Sequence, residues 1–398
     1  MTGFRKLTSV LMIVENYYPM DIRVQREAVS LSKKYSITIL AIKQKGAPFF
    51  DIVDGIRVFR CPPLPQLRPR KIGYFLEYLY LTLISCLFFL ITLPIYRYKV
   101  VHAHNPPDTL VIVGILAKLL GRKYVFDHHD LAPELYLTRF SSREDIYFRT
   151  LLGLEKLSCI YADVVITANR SYKDHATNTH GIRSDKVHIV RNNPLPGEFE
   201  KTPSLKVSRD NDSISIIFVG SINPQDGVLD LLDVFEKLLN RKLQRDVRLL
   251  IIGGGDSLEE VKDRAIEKGL LDHVIFTGMI HDRNKIIDLL CSSDIGVEPA
   301  PENPLNTQST FIKVMEYMAS GLPVVAYDLP ETRYSLDDTG ILVEPGNQDQ
   351  FAHTLFQLIA DDDLRRKLGD AGRQRISTRL NWEQSRTSLM KAYSSILD

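Results

Sequence analysis

Residues 309–326 read STFIKVMEYMASGLPVVA, and within them the pattern changes from a helix to a strand. Apolar side chains recur at helical spacing up to Ala319, which predicts a helix over residues 310–319. Gly321 follows as a C-cap, and Pro323 opens an apolar run at 324–327 that predicts a strand. A helix that leads directly into a buried strand is typical of parallel α/β domains.

The same alternation extends outward along the chain in both directions. We predict strands at 10–15, 36–42, 56–61, 100–104, 124–127, 164–168, 214–219, 247–252, 274–277, 295–297 and 324–327. Helices fit between them, and residues 191–213, which hold three prolines and few apolar residues, indicate a linker. The expected fold class is α/β, with two doubly wound domains facing a cleft and ligands at the carboxyl ends of the strands.

The bulk properties of the chain agree with two folded domains. Its 398 residues are 44% hydrophobic and 25% charged, and we place the domains at 1–195 and 214–381. A helix over 382–398 would cross back onto the first domain. The formal net charge of +1 argues against a nucleic-acid-binding surface. The four cysteines form no closely spaced pair, so we expect reduced thiols in a cytoplasmic compartment.

Residues 78–96 carry no charge and are mostly apolar, which makes them long enough to span a bilayer. Arg68, Arg70 and Lys71 precede this run, and Arg97 and Lys99 follow it. A single spanning helix would put two strands of one sheet on opposite sides of a membrane. We therefore expect a helix that lies in the membrane interface. A buried crossover helix and a true span are the alternatives.

Two predicted strand ends carry histidine and aspartate. The first reads HAHN at 102–105, and the second reads DHHD at 127–130. Both should lie at the carboxyl edge of the first sheet. There a histidine can donate to a sugar hydroxyl or a phosphate, and Asp130 can orient its ring. The alternatives are a metal site, because histidine and aspartate suit zinc, and side chains that only hydrogen-bond in the core.

The start of the helix at 310–319 can receive a phosphate. We expect Ser309 or Thr310 to cap it, and free backbone N–H groups and the helix dipole favour an anion there. Lys313 adds positive charge near the first turn, and Glu316 can accept hydrogen bonds from ribose hydroxyls. The alternative is an ordinary amphipathic helix with a lysine and a glutamate on its surface.

This helix resembles the nucleotide-binding helix of the family 4 retaining glycosyltransferases, which have the GT-B fold. The resemblance covers nearly the whole chain and includes residues 12–31, HAHNPPD at 102–108, DHHDLAPELY at 127–136, residues 162–169 and residues 251–256. It looks closest to bacterial enzymes of lipopolysaccharide, O-antigen and exopolysaccharide assembly. It implies a Rossmann-like acceptor domain followed by a Rossmann-like nucleotide-sugar domain.

The resemblance implies a role for each matching residue. Glu316 would hold the nucleotide ribose, His129 would act near the transferred sugar, and Lys313 would complete the catalytic set. The donor-binding residues would be Gly220, Ser221, Gln225, Asp226, Gly253, Gly255, Gln308, Thr310, Phe311 and Ile312. The acceptor-binding residues would be Asp21, Arg23, Asn105 and Asp130.

The chain departs from the family pattern at three places. Gln308 stands where the family usually has the first glutamate of its Glu-x7-Glu motif, and Glu298 or Glu302 could reach in from the longer loop instead. The second domain's first glycine turn continues as SINPQDG at 221–227, without the usual arginine and lysine, so Lys313 would supply the missing charge. The N-terminal glycine-rich loop is replaced by ENYYPMDIR at 15–23.

The function implied by the resemblance is retaining, metal-independent transfer of a sugar from a UDP- or GDP-linked donor, with no other cofactor. The acceptor would be a lipid-linked saccharide or an oligosaccharide in cell-surface polysaccharide synthesis. The protein would lie on the cytoplasmic face of the cell membrane. A non-hydrolysing nucleotide-sugar epimerase, a metal-dependent hydrolase and a catalytically silent scaffold of the same fold are the alternatives.

Overall fold

The structure is a computed structural model that describes residues 7–64, 71–140, 145–199 and 213–397. The chain forms two compact units. The first comprises Met1–Arg191 and Ser385–Asp398, and the second comprises Asn192–Gln384. Part of the predicted linker, and Arg68 and Arg70 of the predicted basic flank, lie outside the described residues.

The first unit is built on a sheet of eight strands. They are β1 (Ser9–Tyr17), β2 (Ser36–Ile42), β3 (Phe50–Val53), β4 (Ile56–Cys61), β5 (Val100–His104), β6 (Lys123–His128), β7 (Val164–Thr167) and β8 (Val187–Ile189). Their order is β3-β4-β2-β1-β5-β6-β7-β8, and β3 alone among these pairs antiparallel to its neighbour. The sequence did not predict β3 and β8, because both are short edge strands without a continuous apolar run.

The helices described in this unit flank the sheet. They are α1 (Ile22–Ser32), α2 (Lys71–Tyr96), α3 (Val111–Leu119), α4 (Ala132–Phe140), α5 (Ile146–Tyr161) and α6 (Arg170–Asp174), and a π-helical turn, His175–Thr179, follows α6. α1 begins where it does because the Asp21 carboxylate accepts the backbone N–H groups of Arg23 and Val24. The helical segment between β5 and β6 starts as a 3₁₀ turn, Asp108–Leu110, and continues as α3.

α2 is apolar on both of its sides. Leu81 and Phe89 are buried in the core of the first unit, whereas Leu83, Leu87 and Ile91 are 60%, 56% and 59% exposed. Within the part of the chain that the structure describes, Leu76–Tyr96 is long and apolar enough to cross a membrane, by length and composition. Only 28% of its most apolar window is buried inside the protein. α2 therefore packs on the unit along one side and presents aliphatic side chains along the other.

The second unit contains a six-stranded parallel sheet. Its strands are β9 (Ile214–Val219), β10 (Val247–Ile252), β11 (Val274–Gly278), β12 (Ile295–Glu298), β13 (Val324–Tyr327) and β14 (Ile341–Val343), in the order β11-β10-β9-β12-β13-β14. This is the strand order of a dinucleotide-binding Rossmann sheet. The order reverses between β9 and β12, and ligands of such sheets bind at the carboxyl ends of the strands at this reversal.

The helices described for the second unit are α7 (Val228–Leu239), α8 (Leu258–Glu267), α9 (Arg283–Cys291), α10 (Ile312–Ser320), α11 (Pro330–Leu336), α12 (Gln348–Ala360) and α13 (Asp362–Thr378). α10 ends at Gly321, which adopts a left-handed conformation with φ 76° as the predicted C-cap. The last helix, α14 (Trp382–Leu397), belongs to the first unit from Ser385 onward. There Tyr393 is fully buried and its hydroxyl lies 2.8 Å from His102 Nδ1. The predicted return of the C-terminal helix is confirmed.

Two helical glycines of the first unit differ in the space around them. A Cβ on Gly114 of α3 would lie 2.5 Å from the buried Tyr124 ring, whereas a Cβ on Gly153 of α5 would meet nothing within 4 Å. We expect Gly114→Ala to lower the free energy of unfolding by about 1–3 kcal/mol through overpacking. Gly153→Ala should raise it by about 0.5–1 kcal/mol, because alanine restricts the unfolded chain. Denaturant unfolding measures both, and equal effects of the two changes would contradict this packing.

Candidate active site

Polar residues collect at the carboxyl end of the first sheet. His129 and Asp130 follow β6, and Asn105 follows β5. Asn105 joins these segments: its Oδ1 accepts the backbone N–H of His129 at 2.6 Å and of Asp130 at 3.2 Å, and its Nδ2 donates to the Asp130 carbonyl at 2.7 Å. One amide therefore fixes the backbone that carries His129.

Arg23 and Asp21 extend this group from the turn after β1. Arg23 Nη2 lies 3.4 Å from Asp21 Oδ2, and Arg23 Nη1 lies 4.0 Å from Asp130 Oδ2. Burial alone would raise the pKa of Asp21, but Arg23, His129 and the hydrogen bonds to the carboxylate lower it to about 2. The five residues predicted for this domain are thus together at one edge of the sheet: His129, Asp21, Arg23, Asn105 and Asp130.

Asp127 is the carboxylate that orients His129, whereas the sequence suggested Asp130. Asp127 Oδ2 lies 2.7 Å from His129 Nε2 and 2.7 Å from His104 Nδ1. Burial would raise the pKa of Asp127, but the charge of His129 and hydrogen bonds from His102, His104 and His129 hold it well below its usual range. A carboxylate that stays charged fixes the imidazole through Nε2, so the ring nitrogen left for a substrate is Nδ1.

A second layer of titratable groups lies beneath Asp127. His102 Nε2 is 3.6 Å from Asp127 Oδ2 and 3.8 Å from Glu27 Oε2. Burial and the neighbouring His104 lower the pKa of His102 to about 4. Burial and the Asp127 charge raise the pKa of Glu27 well above its usual range. Glu27 therefore favours its protonated form more than an exposed glutamate does.

The glycine turns of the second unit pack backbone against backbone. Gly220 follows β9 and Gly253 follows β10, and a Cβ on Gly253 would lie 1.8 Å from the Gly220 carbonyl oxygen. A Cβ on Gly255 would lie 2.4 Å from the Ile222 carbonyl oxygen. No side chain fits at either position. Backbone peptide groups therefore line the carboxyl edge of the sheet next to β9.

α10 begins at Ile312, with Phe311 as its N-cap and no side-chain cap. The predicted capping by Ser309 or Thr310 is wrong. Ser309 Oγ donates to the Leu305 carbonyl at 2.8 Å, and Thr310 Oγ1 donates to Glu331 Oε2 at 3.4 Å. Both hydroxyls are thus used by the preceding loop and by α11. The first turn of α10 has no side-chain acceptor in the cap position, which suits an anion.

Lys313 lies in the first turn of α10 and points toward Gly220. Its Nζ is 3.0 Å from Glu298 Oε2, at the end of β12, and 4.2 Å from the centroid of the Phe218 ring. A Cβ on Gly220 would lie 3.1 Å from this Nζ. Burial raises the pKa of Glu298 although Lys313 opposes the shift. Lys313 thus lies at the strand-order reversal and pairs with Glu298, the last residue of β12.

Glu316 is one turn further along α10 and pairs with an arginine that sequence reasoning missed. Arg283 Nη2, at the start of α9, is 2.7 Å from Glu316 Oε1 and 3.0 Å from Glu198 Oε1. Glu316 is 7% exposed. The sequence signal that could have identified Arg283 was its position. It begins the helix that follows the carboxyl end of β11, and ligands bind at this edge of the sheet.

The remaining predicted donor residues lie in two loops. Asp226 caps the 3₁₀ turn Pro224–Asp226 by accepting the Asn223 N–H at 3.1 Å. The Gln225 carbonyl accepts from Asn306 Nδ2 at 2.9 Å, which ties this loop to the segment before α10. Gln308 Nε2 donates to the Pro304 carbonyl at 3.2 Å, and Ser221 is exposed. Glu302 is exposed, whereas Glu298 forms the ion pair with Lys313.

Two family profiles match the chain in succession. A profile described as "Glycosyl transferase 4-like domain" matches residues 20–193, and one described as "Glycosyl transferases group 1" matches residues 213–361. The chain belongs to the GT-B glycosyltransferases. The matches fall on the first and second units of this glycosyltransferase in turn.

Known proteins resemble this glycosyltransferase over nearly its full length. An uncharacterized glycosyltransferase of Methanocaldococcus jannaschii is 23% identical over 88% of this chain and 87% of its own. Sucrose-phosphate synthase of Thermosynechococcus elongatus superposes with a TM-score of 0.78 at 18% identity, over 98% of this chain and 99% of its own. HepE of Anabaena, solved with UDP-glucose, gives 0.72 at 16% identity over 97% and 99%. The predicted GT-B fold is confirmed.

Two groups of side chains in the described part of the glycosyltransferase have the spacing of metal ligands. One is the buried set Glu27, His102, His104 and Asp127, and the other is Glu155, His175 and His180. The first set lies beside His129, and two of its members, His104 and Asp127, are hydrogen-bonded to each other. The second lies outside the candidate active site.

The raised pKa of Glu27 leads to a pH-dependent prediction. Because its folded pKa exceeds the usual value of about 4.3, ionising Glu27 costs the folded state increasingly as pH rises. Glu27→Gln removes that cost and keeps a donor for Asp127. We expect the Tm of this variant to exceed that of the parent protein by a margin that grows as the pH rises above the usual glutamate pKa. The exposed Glu259→Gln is the control, and a pH-independent margin would contradict the raised pKa.

Proposed function

We propose that this glycosyltransferase is a retaining enzyme that transfers a sugar from a UDP- or GDP-linked donor to a lipid-linked saccharide in cell-surface polysaccharide synthesis. The observation that carries the proposal is the placement of Lys313 and Glu316 on α10 at the strand-order reversal of the second unit. A nucleoside diphosphate needs positive charge at its phosphates and an acceptor for its ribose hydroxyls, and α10 offers both within one turn.

Positive electrostatics at the diphosphate would assist departure of the leaving group. The start of α10 contributes N–H groups and the helix dipole, and Lys313 contributes its ammonium. Lys313 is paired with Glu298 at 3.0 Å, and burial raises the pKa of this carboxyl while Lys313 opposes the shift. Gly220 leaves room for phosphate oxygens to approach Lys313. The UDP-glucose held by the HepE structure supports this class of donor.

The ribose would bind at Glu316. In the structure its carboxylate pairs with Arg283, and Arg283 also pairs with Glu198. An arginine with two carboxylate partners keeps its charge balanced when one of them turns to a ligand. We assign Glu316 Oε1 and Oε2 as acceptors for the two ribose hydroxyls, with Arg283 holding the carboxylate in place.

The environment of Asp127 bears on how retention would be achieved. This carboxylate is fully buried, and Oδ2 is engaged by His104 and His129. Such a group serves the imidazole and not the anomeric carbon, which supports front-face transfer over a covalent intermediate on Asp127. The proposed transfer uses no metal. His129 would donate a hydrogen bond to the transferred sugar, and Arg23, Asp21, Asn105 and Asp130 would line the acceptor side.

A lipid-linked acceptor is supported by the exposed side of α2. Leu83, Leu87 and Ile91 are more than half exposed. Leu119 of α3, which packs against α2, and Ile160 of α5, which packs against α3, are also exposed. A groove at the carboxyl end of α2 is lined by Leu93, Pro94, Arg97, Lys99 and Arg122. Aliphatic side chains beside basic ones suit the cytoplasmic leaflet of an anionic membrane. We propose that the enzyme lies on this surface without crossing it.

The stereochemical outcome tests the proposed chemistry directly. With UDP-glucose and GDP-mannose as probes and no acceptor, slow transfer to water releases a sugar whose first anomer NMR can record before mutarotation. We expect the α anomer to be released first. Release of the β anomer would establish inversion, and the absence of nucleotide release from a panel of UDP- and GDP-sugars would favour the scaffold alternative.

The two units should respond differently to substitution. We expect Glu316→Gln to weaken nucleoside diphosphate binding by about 1–3 kcal/mol, because a charged acceptor for ribose is lost. We expect His129→Ala to lower turnover by about 100-fold or more with little change in nucleotide affinity. Calorimetry with UDP and GDP and steady-state rates measure both. Exposed Glu302→Gln and His281→Ala are the matched controls. Equal affinity loss from both test variants would contradict the division of roles.

Membrane attachment should depend on the exposed side of α2. Phe89 of the same helix is fully buried, so replacing it would destabilise the unit itself. We expect the triple change Leu83→Gln, Leu87→Gln and Ile91→Gln to abolish flotation with anionic liposomes. The control is the triple change Ile266→Gln, Leu271→Gln and Met279→Gln, which alters equally exposed residues of the second unit. Parent protein that ignores liposomes at low salt would contradict the proposal.

A further inference from the structure

A second histidine cluster lies behind β6, away from His129. Glu155 of α5 is at its centre and is fully buried. Its Oε1 lies 2.7 Å from His175 Nε2 and 2.5 Å from His180 Nε2. Its Oε2 lies 3.6 Å from His128 Nε2, at the end of β6. His175 and His180 from one turn of the chain and His128 from the end of β6 thus face one carboxylate.

The backbone around His175 is shaped to bring two of these rings together. His175 begins a π-helical turn, His175–Thr179, and His180 follows it. In an α-helix, residues five apart point in different directions, because each residue turns the chain by about 100°. A wider π turn places positions i and i+5 above each other, and single π turns occur frequently at functional sites. Here the turn directs both Nε2 atoms to the same carboxylate oxygen.

Buried polar atoms of this cluster lack hydrogen-bond partners among the described residues. Both ring nitrogens of His128 and Oε2 of Glu155 are in this state, and both residues are 0% exposed. An orphaned buried donor or acceptor destabilises a fold, so such atoms call for a partner that the protein chain does not supply. His128 Nε2 and Glu155 Oε2 are 3.6 Å apart, so a ligand bound at Glu155 would give its open oxygen a partner.

Further carboxyl groups surround the cluster. Burial and the Glu155 charge raise the pKa of Asp108 to about 7, and the same two causes raise the pKa of Glu134. Three acidic groups therefore share this interior, where a positive charge would stabilise their ionised forms.

We propose that Glu155, His175 and His180 bind a divalent transition-metal cation of the zinc type. The ligand atoms of these three residues lie within 4.8 Å of one another. Imidazole nitrogens and a carboxylate oxygen are ligands that Zn²⁺ prefers, and a water molecule would complete a tetrahedral shell. Glu155 and His180 are buried, and the His175 side chain is 9% exposed. The ion would tie α5 to the π turn, and it is separate from the glycosyl-transfer chemistry.

The test uses the full-length protein, dialysed against a chelator and then titrated with ZnCl₂ or CoCl₂. We expect one equivalent of Zn²⁺ to raise the Tm by about 3 °C or more, because a cation that binds the native state stabilises it. Co²⁺ should develop the visible absorption of a tetrahedral site. Both signals should be lost in His175→Gln and in His180→Gln, and retained in Asp127→Asn and in the surface control His353→Gln.

The wild-type Co²⁺ spectrum keeps the proposal testable even where a variant fails to fold. Absence of a tetrahedral spectrum together with no Zn²⁺ effect on Tm would overturn it, and Glu155 would then be a carboxylate held by neutral histidines alone. Signals that persist in His175→Gln and vanish in Asp127→Asn would also overturn it, because they would assign the ion to the cluster beside His129.

Discussion

Parallel pairing of the strands is the constraint on which the polar edge of each unit depends. A parallel sheet gathers the carboxyl ends of its strands at one edge, and the reversal of strand order opens a crevice there. In the first unit the reversal lies between β1 and β5, which carry Asp21 and Asn105 in the segments that follow them. In the second unit the reversal lies between β9 and β12. Gly220 follows β9, and Glu298 is the last residue of β12. The pairing of the strands therefore brings residues that are far apart in sequence to the same edge of the sheet.

Charge pairing keeps these edges polar inside a buried setting. Asp127 remains ionised because His104 and His129 surround it, and Lys313 is accommodated because Glu298 faces it. A buried charge without a partner would cost several kcal/mol or more, so each pair makes its own site tolerable to the fold. The same pairing fixes orientation: one ring nitrogen of His129 is committed to Asp127, and Glu316 is held by Arg283. Stability and preorganisation come from the same contacts.

Sequence reasoning located most of the sheet because buried parallel strands are continuous apolar runs. Residues 36–42, 214–219 and 247–252 were predicted with the bounds that the structure gives. The short edge strands β3 and β8 lack that run, so they carry no comparable signal. Helix starts depend on local hydrogen bonds: Ser309 and Thr310 have the composition of caps, yet their hydroxyls bond to Leu305 and Glu331 and leave Phe311 at the cap.

Which neighbours a side chain finds could not be read from the sequence. Asp127 and Asp130 flank His129 almost symmetrically in the DHHD stretch, and only the strand geometry selects Asp127. Arg283 reaches Glu316 across an intervening strand and loop, and no spacing rule connects them. The sequence of an all-apolar helix does not show which side is buried. Phe89 and Leu87 look equivalent in sequence, although Phe89 is fully buried and Leu87 is mostly exposed.

The most direct test of donor binding by α10 is a crystal structure of the protein with UDP or GDP. We expect diphosphate oxygens within hydrogen-bond distance of the backbone N–H groups at the start of α10 and of Lys313 Nζ, with the ribose hydroxyls on the Glu316 carboxylate. A nucleotide whose phosphates lie away from α10, with Lys313 still paired only to Glu298 and the ribose out of reach of Glu316, would contradict the assignment of this helix as the donor site.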